Sequence, residues 1–255
     1  MVILRSKSSA LNDKIKVGAV SYLNTKPMVH FFEQGLLSAT IDFDYPANVA
    51  QRLLNNSIDV GLVPVAVIPQ LESPQIVSEF CIATDGEVAS VCLFSEVPFD
   101  QVETILLDYQ SKSSVGLLKI LLRHHWKINP ELTAANAGYE NQIVSTTAGL
   151  VIGDRALLKR KSAKYVYDLG SAWKEMTGLP FVFAVWLANK ELSQTFLREF
   201  NNAIEMGLNH IPEIAASLDF EAYDLLHYYN HNINYRLDHK KRTAIDKYLS
   251  LLKEI

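Results

Sequence analysis

The sequence predicts an α/β fold divided into two lobes, and three observations predict it. Short runs of β-branched and small apolar residues alternate with helix-like segments from residue 15 to about residue 190, the pattern of βαβ units and largely parallel sheets. Two strand-like runs, one ending at Ser95 and the other spanning Phe181–Leu187, bracket a central strand–helix series. This bracketing predicts that the chain leaves one lobe, builds a second and returns. The 255 residues are 49% apolar and 20% charged, which suffices for the core such a fold needs.

Strands are predicted at Lys16–Val20, Ile41–Tyr45, Val60–Val63, Val77–Ala83, Ser90–Ser95, Thr104–Leu107, Gly149–Ile152 and Phe181–Leu187. Each is a short apolar run bounded by turn-forming residues. Helices are predicted at Thr25–Gly35, Ala47–Asn55, Val65–Leu71, Ser114–Trp126, Arg155–Lys161 and Ala172–Thr177. Phe31, Phe32 and Leu36 extend an apolar face along the first of these, with Gly35 near its end. From Ser193 the pattern is helical to the end, and Leu192, Phe196, Phe200 and Ile204 mark one buried face. Residues 1–14 read as a loose tail. Residues 15–95 and 187–255 form lobe one, residues 96–182 lobe two, and residues 183–186 a second connecting strand.

Bulk properties exclude several function classes. A net charge of −4 with no offsetting basic block argues against nucleic-acid binding. The densest basic run, Lys159–Lys164, reads as a solvated helix end or loop. The start of the chain lacks the roughly 7–15-residue apolar stretch of a secretory signal. No run reaches the ~18–20 apolar residues of a membrane span. A cytoplasmic location, away from membranes, is therefore expected. Cys81 and Cys92 are the only cysteines; they are expected on adjacent strands as buried, reduced thiols. Without CxxC, HExxH or a cluster of histidines and cysteines, no metal site is expected.

Three polar sites stand out. In Val17–Pro27 (VGAVSYLNTKP) a buried strand stops abruptly and a helix begins. This delivers Ser21, Tyr22 and Asn24 to a helix N-terminus at the edge of a sheet, where open α/β sheets bind ligands. Asn24 stands where an N-cap belongs, and its amide is equally suited to donate to a ligand. Ser90 heads an apolar strand and reads either as a strand-edge hydroxyl or as a cleft group. Leu107–Ser114 (LDYQSKSS) is a strand followed by a hydroxyl-rich turn and an apolar helix. That combination of Ser111, Ser113 and Ser114 with free backbone N–H groups suits an anion. Asp154 reads as a helix cap after Gly153. Arg155 either offers a positive charge to a ligand or pairs with Asp168 or solvent. Glu87 reads either as a base near Ser90 or as a generic surface or strand-end carboxylate. Trp173, Phe183 and Trp186 read as core or cleft wall. The polar and aromatic set from Tyr228 to Tyr235 reads as a helix end packed on lobe one.

Ser21–Pro27 (SYLNTKP) resembles the opening motif of the chorismate dehydratase family of menaquinone biosynthesis. Ile58–Ala66 (IDVGLVPVA), Asp85–Val97 (DGEVASVCLFSEV), Val151–Leu157 (VIGDRAL) and Tyr167–Trp186 resemble further segments of that family, in the same order. The resemblance implies a two-lobe periplasmic-binding-protein type II fold around a central cleft. It implies a hydro-lyase that acts on chorismate without metal or organic cofactor. It places Asn24 and Ser90 as catalytic residues. It gives the turn of Ser111, Ser113 and Ser114 a grip on a substrate carboxylate, with Ser113 where the family often has Thr; Ser21, Tyr22, Gly153, Asp154 and Arg155 are expected beside them as substrate-binding residues. A cytoplasmic, non-catalytic binding protein for a small carboxylate is the competing expectation, since the same fold serves both. A second copy of the chain is kept open as a partner.

Overall fold

The computed structural model describes residues 14–35 and 37–255; most of the expected tail, and Leu36, lie outside them. Two sheets and their helices alternate along the chain. The first part runs β1 (Ile15–Val20), α1 (Lys26–Glu33), β2 (Ala39–Asp44), α2 (Pro46–Leu54), β3 (Val60–Pro64) and β4 (Gln75–Thr84). The second runs β5 (Val91–Ser95), β6 (Thr104–Leu107), α3 (Lys112–Leu121), β7 (Glu131–Ala134), β8 (Thr147–Ile152), α4 (Asp154–Arg160), β9 (Tyr165–Asp168) and α5 (Leu169–Thr177). The return runs β10 (Phe181–Ala188), α6 (Gln194–Leu208), α7 (Ile211–Ser217), α8 (Leu225–His227), β11 (Asn234–Arg236) and α9 (His239–Leu252).

The first sheet has the order β11-β4-β10-β3-β1-β2, and the second β7-β6-β8-β5-β9. Both are mixed rather than largely parallel. β1 runs parallel to β2 and β3, and β6 runs parallel to β7 and β8. β10 is antiparallel to β3 and β4, and β5 is antiparallel to β8 and β9. The two reversals have one cause: β5 and β10 are the strands by which the chain enters one sheet from the other. A strand buried on both faces reads as a continuous apolar run whichever way it points, so its direction is invisible in the sequence.

This topology moves two expected assignments. The strand ending at Ser95 was expected in lobe one, yet it pairs Cys92 with Val151 and with Asp168 in the second sheet. The crossing therefore lies in Asp85–Ser90. Residues 183–186 were expected as a connecting strand; they are the fully buried middle of β10, inside the first sheet. Cys81 and Cys92 consequently sit in different sheets, both buried and free.

Packing follows from the predicted faces. Phe196, Phe200 and Ile204 of α6 are buried, and Phe200 meets Phe32 and Trp186 with ring centroids 5.0 Å away from each. Gly207 permits this contact. A Cβ there would lie 1.9 Å from the carbonyl oxygen of Pro27. One hydrophobic core runs continuously through both sheets, and a smaller cluster around Phe94, Tyr139 and Val151 lies on the second. The helical tail is interrupted: a π-helical turn at Tyr228–Asn232 leads into β11, which adds to β4.

Candidate functional site

Between the two sheets lies a cavity lined by residues of both. Strand ends and helix starts converge on it from both sides. Val20, Leu62, Pro64, Ile82, Phe183 and Ala184 supply apolar wall from the first sheet. Ile152 and Val91 supply it from the second. The polar lining is Tyr22, Asn24, Thr25, Ser90, Ser111 and Ser114. No charged side chain and no histidine is among the described residues that line it, and these residues contain no cluster of three or more metal-ligating side chains.

The β1–α1 loop carries the first polar wall. A 3-10 turn, Leu23–Thr25, precedes α1, so Thr25 rather than Asn24 occupies the N-cap position, and no side chain caps the helix. Asn24 is thereby released from the capping role. Its Oδ1 accepts from the Thr25 hydroxyl at 3.3 Å, and its backbone carbonyl accepts from Tyr235 at 2.9 Å. The side chain of Ser21 is exposed and lies outside the lining. Tyr22 lies with its ring against the cavity, and its hydroxyl donates to Gln110 Oε1. Burial, reinforced by Asp108, pushes this phenol far above its ordinary range.

The second wall is Ser90, held in a constrained backbone. The Ser90 N–H returns to the Val88 carbonyl at 2.7 Å, and Ala89 between them has φ 62°. A tight turn of this kind with a non-glycine at positive φ is strained. Several groups impose it. The Asp168 carboxylate accepts from Val88 N–H at 3.1 Å, from Ala89 N–H at 2.8 Å and from Ser171 N–H at 3.0 Å. Burial pushes its carboxyl up against the pull of those N–H groups. Arg160 donates to the Ala89 carbonyl at 3.3 Å and pairs with Glu87. Glu87 is thus engaged with Arg160 and absent from the lining. The Ser90 hydroxyl is 1% exposed residue-wide and accepts from Tyr228 at 2.7 Å.

The third wall is the start of α3. Ser111 is its N-cap, with Oγ accepting from Ser114 N–H at 3.2 Å and 3.0 Å from Ser114 Oγ. Both serines face the cavity. Ser113 does not: its Oγ accepts from Ala66 N–H at 3.3 Å and its carbonyl accepts from Tyr248 at 3.1 Å. It ties α3 to the first-sheet side, one residue earlier in the helix than the cavity-facing position.

The VIGDRAL segment divides. Gly153 lines the cavity and donates its N–H to the Ser90 carbonyl at 2.8 Å. Its φ of 65° and ψ of −148° suit glycine alone. A Cβ there would meet three Tyr22 ring atoms at 3.1 Å. Asp154 does not cap its own helix; its Oδ1 accepts from Leu23 N–H at 3.0 Å and fixes the loop that carries Asn24. Arg155 points away from the cavity into a buried network. It pairs with Asp108 at 2.6 Å and with Glu140, and donates to Gln110 Oε1 at 2.9 Å. Asp168, its expected partner, serves the Ser90 turn instead.

The sequence reading missed Thr25 and Pro46 in the wall, Gln110 behind Tyr22, and Tyr228 behind Ser90. Tyr228 is 138 residues from Ser90, so its contact has no local signal. Phe183 lines the cavity as anticipated, while Trp173 and Trp186 are core.

The chain matches the family model described as menaquinone biosynthesis over residues 15–254. It is 28% identical to a chorismate dehydratase of Thermus thermophilus over 92% of this chain and 94% of that one. A chorismate dehydratase of Campylobacter jejuni is 25% identical over 58% of this chain and 69% of its own. Among solved structures, a protein of Archaeoglobus fulgidus superposes with a TM-score of 0.73 at 14% identity, covering 96% of this chain and 98% of its own. The periplasmic aliphatic sulphonate binding protein of Escherichia coli superposes with a TM-score of 0.60 at 16% identity, covering 94% of this chain and 91% of its own. The fold is that of the periplasmic binding proteins, and the chain belongs to the menaquinone biosynthesis family, the family of the chorismate dehydratases.

Proposed function

We propose that the chain is a chorismate dehydratase, a hydro-lyase that removes water from chorismate to give 3-[(1-carboxyvinyl)oxy]benzoate. One observation carries the reading beyond the family. The cavity presents neutral hydrogen-bond donors from three directions and no charged side chain among the described residues. Chorismate has a ring carboxylate, an enolpyruvyl carboxylate and a C4 hydroxyl, and these need donors and an amide more than a protein acid or base.

The chemistry follows from where charge develops. The C3–H bond breaks and its electron pair spreads through C2=C1 into the ring carboxylate as an enediolate. Donors fixed at that carboxylate stabilise the charge, by roughly 3–4 kcal/mol for each well-placed one. The electrons then return, the C4–O bond breaks, and the ring becomes aromatic. Asn24, Ser90, Ser111 and Ser114 are the donors available for the two carboxylates and the departing oxygen. With Glu87 held by Arg160 outside the lining, the substrate's own enolpyruvyl carboxylate takes the C3 proton and passes it to the departing hydroxide. Substrate in and product plus one water out then balance. Closure of the two lobes belongs to the same reading, with the crossings at 85–90 and 178–180 as its hinges.

The test is purified protein with chorismate, followed by product mass and ultraviolet spectrum. Loss of one water with appearance of an aromatic absorbance supports the reading. Chorismate bound and recovered unchanged overturns it in favour of a binding protein. Glu87→Gln should keep turnover within about threefold, because salt bridges this exposed contribute little; abolished turnover with binding intact would return the role of base to Glu87.

A further inference from the structure

Tyr228 lies just behind the cavity wall. Its ring is fully buried in the π-helical turn Tyr228–Asn232, a local irregularity that recurs at functional sites. Its hydroxyl donates to Ser90 Oγ at 2.7 Å. This hydrogen bond bridges residues 138 positions apart in the chain. Ser90 Oγ makes no other side-chain hydrogen bond among the described residues.

Proton counting gives this bridge a direction. A phenol and a serine hydroxyl each own one proton, and here the phenol donates. The phenol proton then belongs to Ser90, and the proton of Ser90 is left for the cavity. We propose that Tyr228 is a positioning residue that orients the chain Tyr228 O–H to Ser90 O–H, so that Ser90 meets a substrate oxygen as an obligate donor. The inference rests on the dehydratase reading of the cavity and deepens it, because an anionic carboxylate or a departing hydroxide needs a donor there. Burial keeps the phenol protonated across the working pH range. The aromatic neighbours, Tyr229 with its ring centroid 5.7 Å away and Tyr223 at 6.1 Å, pack on the ring.

The test is a double-mutant cycle of Tyr228→Phe and Ser90→Ala on kcat/KM for chorismate. Tyr228→Phe keeps the ring and should cost about tenfold, the effect of one net hydrogen bond. In the Ser90→Ala background the same change should alter kcat/KM less than about twofold, since its route of action is gone. An equal loss in both backgrounds marks a packing role and overturns the proposal. Wild-type protein that does not turn chorismate over overturns the dehydratase reading instead. The cycle is then read on calorimetric affinity for 3-[(1-carboxyvinyl)oxy]benzoate, where absent binding, or equal binding by wild type and Tyr228→Phe, overturns the proposal too. Neutron diffraction from deuterium-exchanged wild-type crystals needs neither a variant nor turnover. Deuterium carried by Tyr228 on the line to Ser90 Oγ is the expected result, and deuterium carried by Ser90 on that line overturns the direction.

Discussion

Replacing Gly153 by alanine tests how the cavity wall is built. Two costs add. The backbone at φ 65° and ψ −148° lies where an L-residue is strained by about 1–3 kcal/mol. The new methyl would also stand 3.1 Å from three atoms of the Tyr22 ring, which is buried and tethered through its hydroxyl to Gln110. A ring held at both ends cannot swing away, so overpacking adds about 1–2 kcal/mol. The sum is about 3 kcal/mol. For a chain of this length that is a fall in melting temperature of about 6–12 °C, read by calorimetry at one protein concentration. Activity should fall as well, because the Gly153 N–H fixes the Ser90 carbonyl at 2.8 Å. A Gly153→Ala variant that melts within about 2 °C of wild type and keeps full activity would refute the packing of Tyr22 over Gly153.

Two further predictions separate placements within the site. Ser111→Ala should lower kcat/KM for chorismate by about tenfold or more through the lost cavity hydroxyl and cap. Ser113→Ala should leave kcat/KM within about twofold and cost about 1 kcal/mol of stability, the net worth of its bond to Ala66; the reverse order in steady-state kinetics would put Ser113 in the cavity. Asp154 gives a pH dependence with a defined sign. Burial raises its carboxyl pKa in the folded protein, against the Leu23 N–H and Lys26. The native state therefore binds that proton more tightly than the unfolded chain does. Its contribution is full at low pH and is lost as pH rises through the native pKa. The stability of wild type relative to Asp154→Asn should therefore decline from about pH 4 toward neutrality, measured by denaturant titration at a series of pH values. An advantage of wild type that grows with pH would contradict the environment described for Asp154.

Much of this architecture is legible in sequence because strong local signals carried it. Val17–Pro27 is a strand, a stop and a helix, as its pattern dictates. Asn24 escaped the capping role because a 3-10 turn occupies Leu23–Thr25, and no pattern distinguishes that turn from the first turn of α1. β7, β9 and β11 have only three or four residues each and no fully buried face, so periodicity had nothing to register. Sheet direction at β5 and β10 is decided by where the chain crosses, which is a property of the whole fold. The site divides in the same way. Tyr22, Asn24, Ser111, Ser114 and Gly153 follow strands or open helices, Ser90 heads a strand, and all reach the cavity. Arg155 had the right charge for an anion, yet the buried Asp108 carboxylate demanded it first. An unpaired buried carboxylate costs more than a cavity cation gains. Ser113 shows the helix period deciding between neighbours: Ser111 and Ser114 are three apart and share a face, and Ser113 looks elsewhere.

The central claim, that this cavity dehydrates chorismate using neutral donors, is tested most directly by one comparison. Wild type and Ser90→Ala are assayed side by side with chorismate, following water loss by mass and the aromatic product by absorbance. Wild type should release one water for each chorismate consumed, and Ser90→Ala should be slower by roughly a hundredfold, the loss of one donor at the developing charge. Chorismate left intact by wild type, or consumed equally fast by both proteins, would contradict the account.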